Sequence, residues 1–274
     1  MSLKIKFLRF LKRIWLFSAI RRFIRATSYY NFRYAQIMRW VFSSNEFTNF
    51  NYEMDSATRL YLAQAIAIVT EERPSYVLDC FEELENDKVL IEHIQKRISL
   101  SDEGRYADLD ISFARRIGWY ALIRIQKPKI IIETGVDKGL GSVVICSALM
   151  RNKKEGHIGA YYGTDINPKA GYMLSAPYSE FGEILFGDSI KSLKKFKEKV
   201  DLFINDSDHS AEYEREEYEV IVSKLSENAI ILGDNSHFTD VLGKFSFEKN
   251  RKFIFAKEKP KNHWYPGGGV GISY

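Results

Sequence analysis

The chain has 274 residues, with 40 Lys and Arg against 36 Asp and Glu and a formal net charge of +4. Apolar content of 45% with 14% aromatics excludes global disorder, and two distant cysteines, Cys80 and Cys146, exclude a disulfide scaffold or a cysteine-based zinc cluster. The charge is unevenly spread: residues 1–45 hold ten basic residues and no acidic one, whereas residues 46–274 carry 30 basic against 36 acidic.

Residues 1–45 therefore read as a basic arm. At about 100° per residue, Leu3, Phe7, Phe10, Leu11, Ile14, Trp15 and Phe17 share one side of a helix, opposite Lys6, Arg9, Lys12 and Arg13. Arg21, Arg22 and Arg25 continue the positive charge. This composition suits an interfacial helix on an anionic membrane, and equally a helix packed on the body or on a second copy of the chain. Residues 1–25 are the expected contact in either case. The basic charge belongs to the arm, so nucleic acid is not an expected partner of the body. No run of about 18 uncharged apolar residues exists to span a bilayer. The early apolar run Ile14 to Ile20 lacks a small-x-small cleavage pattern, so a cytoplasmic protein, free or membrane-associated, is expected.

Residues 46–127 read as a helical extension. Asp55-Ser56 caps a first helix with Leu60, Leu62, Ile66 and Ile68; a second follows Pro74, a third carries Val89 to Ile98, and a fourth occupies 109–126, ended by Pro128. After Pro128, short β-branched or aromatic runs alternate with helical patterns. The expected strands are Lys129–Thr134, Ala160–Thr164, Glu183–Phe186, Asp201–Asn205 and Ala229–Gly233, then an antiparallel pair, Lys252–Ala256 and Gly269–Ser273. The rhythm predicts an α/β fold: a doubly wound, mostly parallel seven-stranded sheet over 128–274. Ligands of such sheets bind outside the carboxyl ends of the strands. Glu133, Asp165, Asp188, Asp206 and Asp234 all fall at strand ends, along one expected rim.

The first strand runs into Glu133-Thr134-Gly135-Val136-Asp137-Lys138-Gly139-Leu140-Gly141-Ser142. Its G-x-x-x-G-x-G spacing is neither a dinucleotide fingerprint nor a phosphate loop. A carboxylate beside it suits a cationic group or a hydrogen-bond donor better than a phosphate. This loop resembles the first motif of class I S-adenosylmethionine (SAM) dependent methyltransferases. Thr164-Asp165-Ile166-Asn167-Pro168 is similar to that family's second motif, and Phe186-Gly187-Asp188-Ser189 to its third. The resemblance covers roughly 115–274 and implies a Rossmann-like methyltransferase fold. It places SAM on Glu133, Thr134, Gly135, Gly139, Ser142, Asp165, Asp188, Ser189 and Asp206, with Asp165 on the ribose hydroxyls and Asp188 on the adenine amino group.

The next two strand ends read Asn205-Asp206-Ser207-Asp208-His209 and Asp234-Asn235-Ser236-His237. Three hard oxygen donors at neighbouring strand ends suit Mg²⁺. The pattern resembles metal-dependent O-methyltransferases of the catechol type, which implies Asp206, Asp234 and Asn235 as metal ligands. Those enzymes place a Lys base three residues beyond the first metal Asp, and here that position is His209, an imidazole suited to take a hydroxyl proton. His209 and Asp206 are thus the expected catalytic pair. The expected activity is methyl transfer from SAM to a hydroxyl of a small molecule, a sugar or polyol among them, with Mg²⁺ assistance. N-methyl transfer and a non-catalytic SAM-binding scaffold are the alternatives.

Overall fold

The computed structural model describes residues 15–46, 51–234 and 236–274. Most of the arm's expected amphipathic stretch, residues 1–14, and the expected metal ligand Asn235 lie outside the described residues.

Two compact units are present. Residues 15–44, together with Asn262–Tyr265, make up the described part of one. It contains α1 (Trp15–Ser43), and the Trp40 and Trp264 rings lie 5.3 Å apart within it. The second unit comprises Asn45–Lys261 and Pro266–Tyr274.

In the second unit, α2 (Ser56–Thr70) starts where Asp55 accepts from the Ala57 amide at 3.0 Å, as expected of an Asp cap. Pro74 opens α3 (Pro74–Glu85), where its missing N–H costs nothing. Asp87 caps α4 (Lys88–Leu100). The expected fourth helix is shorter than 109–126: α5 spans Arg116–Gln126. The chain before it includes Ala114 at a φ of 48°, which an α-helix does not accommodate.

The sheet then forms from β1 (Ile130–Thr134), β2 (Ala160–Asp165), β3 (Gly182–Phe186), β4 (Val200–Asn205), β5 (Leu225–Asp234), β6 (Phe253–Lys257) and β7 (Gly269–Ser273). Interleaved helices are α6 (Leu140–Lys154), α7 (Ser189–Lys195), α8 (Ala211–Ile221) and α9 (Val241–Glu248). Strand order is β3-β2-β1-β4-β5-β7-β6, with β7 antiparallel to both β5 and β6. All seven expected strands are present, β5 starting four residues earlier than its apolar run.

Period-two alternation sends neighbouring strand residues to opposite faces. Ile131, Leu202, Ile230 and Ile272 join one apolar cluster with α2 through α6. Ile132, Phe203 and Ile231 join another with Leu193 of α7, Tyr218 of α8 and Phe245 of α9. Helices therefore cover both faces. The extension before Pro128 shares its core with the sheet, so the boundary expected at 127/128 does not separate two cores.

Parallel pairing aligns the strand ends. Thr134 pairs with Thr164 and Asn205, Asn205 with Gly233, and Asp165 with Phe186. The expected rim follows: Thr134, Asp165, Asp188, Asp206 and Asp234 sit at or just past neighbouring carboxyl ends.

Candidate functional site at the carboxyl ends of the strands

The glycine loop is shaped by close backbone approach. Gly135 has a φ of 83°, and a Cβ there would lie 2.0 Å from the Asp206 carbonyl oxygen. Only glycine lets the end of β1 lie directly against the end of β4. Gly139 has a φ of 93°, and a Cβ there would meet the Gly171 Cα at 2.9 Å. Asp165 Oδ2 accepts the Val136 and Asp137 amides at 3.0 and 2.9 Å, and Oδ1 accepts Asn167 N at 2.8 Å. The β2 carboxylate thus holds the β1 loop open at the rim. A carboxylate has about four lone-pair sites, so acceptor capacity remains.

Glu133 and Ser142 are placed differently from the expectation. Glu133 is 2% exposed and accepts from the Tyr161 hydroxyl and from Ser142 Oγ. Burial pushes its carboxyl up to about 7. Both side chains turn inward beneath the loop, because β1 ends inside the core. Here they hold strand and helix together.

Asp188 is the N-cap of α7, accepting from Lys191 N at 2.8 Å. Ser189 Oγ lies 2.8 Å from the Tyr213 hydroxyl and donates to Glu217. Glu217, on α8, is fully buried and also accepts from Thr134 Oγ1 (3.1 Å), Ser207 Oγ (2.9 Å) and Asn205 Nδ2. Burial outweighs these four hydrogen bonds and pushes its carboxyl up to about 7. One side chain thereby ties together the ends of β1 and β4 and the turn after β3. Sequence reading missed it within the run Glu212 to Glu219. The signal was helical phase: Glu217 shares a face with Glu214, Tyr218 and Ile221, the buried positions of α8.

A second missed group lies at the end of β5. Arg115, just before α5, donates through Nε and NH2 to the two oxygens of Asp234. Its NH1 donates to Glu258 Oε1 at 3.0 Å and to the Tyr52 hydroxyl at 3.2 Å. Glu258 also accepts from Tyr52 at 2.8 Å. All four residues are buried. Burial pushes the Asp234 carboxyl up, but Arg115 more than offsets this and holds it below its usual range. Asp206 shares a hydrogen bond with Asp234; burial, then the Asp234 charge, raise the Asp206 carboxyl well above its usual range. The two aspartates are thus shifted in opposite directions, Asp234 down beside Arg115 and Asp206 up beside Asp234.

That arrangement bears on the metal expectation. A divalent cation at Asp206, Asp234 and Asn235 requires ionised carboxylates with lone pairs to give. Both Asp234 oxygens already accept from the Arg115 guanidinium. Among the described residues, no group of three or more His, Cys, Asp or Glu is arranged to hold a metal ion. The described donors do not fit a cation. Asp206 and Asp234, two of the three expected metal ligands, form a hydrogen-bonded pair closed by Arg115.

His209 lies just past β4, with Nε2 3.8 Å from Asp206 Oδ1. Its ring stacks on Phe238, 5.8 Å between centroids, and His237 packs on the same ring at 4.2 Å. Phe238 is 64% exposed. The expected catalytic pair is therefore brought together, beside an open aromatic wall.

Among the described residues, Lys138 Nζ, Thr164 Oγ1 and Asn205 Oδ1 are buried polar atoms around the loop with no hydrogen-bond partner. Lys138 Nζ lies 3.8 Å from Asp137, beyond hydrogen-bond distance. Unsatisfied buried groups are rare unless a ligand completes them. They stand where β1, β2 and β4 end.

A family model described as a methyltransferase domain matches residues 132–236, from β1 to just past β5. Over these residues the chain matches a methyltransferase domain, and the sheet around them has the Rossmann-like methyltransferase fold. No curated protein sequence matches the chain. Solved structures with this domain fold include the O-methyltransferase from Bacillus cereus in complex with SAH, at 13% identity over 77% of this chain and 94% of that one, with a TM-score of 0.50. Cofactor-bound Rv0187 from MTB aligns at 12% identity over 67% and 86%, with a TM-score of 0.52. The O-methyltransferase TomG from Streptomyces achromogenes, in complex with SAM, aligns at 14% over 66% and 88%, with a TM-score of 0.50. At these identities the likeness is one of fold.

Proposed function

We propose that the protein transfers the methyl group of SAM to a hydroxyl of a small polar acceptor, with His209 as the base and without a divalent cation. The pairing of His209 with Asp206 at the end of β4 carries this reading. SAM and SAH occupy the two named O-methyltransferase neighbours, which supports SAM as the cofactor and oxygen as the acceptor atom. The residues around the loop fit SAM. Asp165 has acceptor capacity for ribose hydroxyls, and Lys138 Nζ and the Thr164 and Asn205 oxygens suit its charged amino-acid end.

Bound SAM supplies an electrophilic methyl on a cationic sulfur. The chain's own residues do the rest. The hydroxyl proton passes to His209 as the oxygen forms its bond to the methyl carbon and the carbon–sulfur bond breaks, leaving S-adenosylhomocysteine. Arg115, Asp234 and Asp206 fix the ends of β5 and β4 relative to each other, and so position His209. Alignment of two bound reactants supplies much of the acceleration. Ser207, Asp208 and Ser210 flank His209 and offer the hydrogen-bonding groups that a sugar or polyol uses.

The test is transfer of ¹³C-methyl from labelled SAM to a panel of sugars, polyols and phenols, with and without EDTA. The expected product carries an O-methyl carbon, formed at the same rate under chelation. An N-methyl product overturns the acceptor assignment. Loss of turnover in EDTA, restored by Mg²⁺, overturns the metal-free reading.

A further inference from the structure

α1 is 29 residues long, about 43 Å at a rise of 1.5 Å per residue. Projected at about 100° per residue, Ile20, Phe23, Ile24, Tyr34, Met38 and Phe42 fall within one arc of about 100°. All six are exposed, from 47% at Ile20 to 80% at Phe42. Arg21, Arg22, Arg25 and Arg39 project outside that arc, and the helix contains no acidic residue. Thr27 and Asn31 fall in the same arc and divide it into two exposed apolar patches, Ile20 to Ile24 and Tyr34 to Phe42, and exposed apolar patches of this kind mark an interaction surface.

Charge selects its occupant. A second copy of α1 packed arc to arc would cover the stripe but leave the arginines of both helices without a counter-charge, since neither helix carries a carboxylate. Among the described residues no helix is long and apolar enough to cross a membrane. A surface that presents both acyl chains and phosphates satisfies the stripe and the arginines together. We propose that α1 docks the protein on anionic lipid bilayers, lying in the plane of the interface with its apolar arc among the acyl chains and its arginines at the headgroup phosphates.

The experiment is flotation of the full chain with phosphatidylcholine vesicles, with and without about 30 mol % phosphatidylserine. Wild type should float with the anionic vesicles. A triple variant, Phe23→Glu, Tyr34→Glu and Met38→Glu, should lower partitioning about tenfold or more, with thermal unfolding of the sheet unit unchanged. Arg21→Gln, Arg22→Gln and Arg25→Gln together keep the stripe and should erase the preference for anionic vesicles. Failure of wild type to float with them overturns the proposal, as does equal flotation of the triple variant. A concentration-dependent dimer, lost in the triple variant and formed without vesicle binding, assigns the stripe to a second copy instead and also overturns it.

Discussion

Replacing His209 with Gln should lower kcat by about 10²–10⁴-fold, the range typical of a lost general base. Gln keeps a polar side chain of similar reach but cannot accept and carry a proton. His209 is partly exposed and stands beyond the strand end, so its loss removes no core packing. SAM affinity by calorimetry should stay near that of wild type, because the glycine loop and Asp165 are untouched. The readout is S-adenosylhomocysteine formed at saturating SAM with the acceptor that the labelled-methyl panel identifies. A variant that turns over at the wild-type rate removes His209 from the chemistry. A variant that loses SAM binding and turnover equally shows that His209 holds the cofactor instead.

Replacing Arg115 with Met should destabilise the protein by about 3–5 kcal/mol, the cost of stripping one partner from a buried ion pair. Asp234 and Glu258 would then face each other in the core without a cation. For a unit of this size the loss corresponds to a fall in Tm of about 6–20 °C. Adding Asp234→Asn should recover part of it, since the uncompensated charge is the main cost. Thermal unfolding of the two single variants and the double variant gives the coupling. Additive losses, or a single-variant Tm within a degree of wild type, would show that the Arg115–Asp234 pair does not organise the β5 end.

Much of this fold was legible because the signals were local. The β-branched runs ending in Asp or Asn marked the strands, and the glycines at 135 and 139 marked a loop that no side chain could fill. Pro74, Asp55 and Asp87 fixed helix starts through backbone chemistry that needs no tertiary context. The rim acids were equally readable as strand ends. Their roles were not. Glu133, Asp188 and Asp234 look alike in sequence, yet one is buried under Tyr161, one caps a helix and one pairs with Arg115. Arg115 lies 119 positions from Asp234, and nothing in either segment names the other. That distance hid the cation at the β5 end: it is the guanidinium of an arginine preceding α5. Glu217 was obscured because five glutamates share its helix, and only the helical phase sorts the buried ones from the solvated ones.

The central claim is that SAM binds at the loop between β1 and α6, against Asp165. Calorimetry of the full chain with SAM tests it directly, comparing wild type with Asp165→Ala and Asp165→Asn. Wild type should bind with one site, and Asp165→Ala should weaken binding about tenfold or more, since a charge-assisted hydrogen bond contributes about 1.5–3 kcal/mol. Asp165→Asn keeps an acceptor for the Val136 and Asp137 amides, so it should fall between the two. No binding heat from wild type, or an affinity unchanged in Asp165→Ala, would contradict the account.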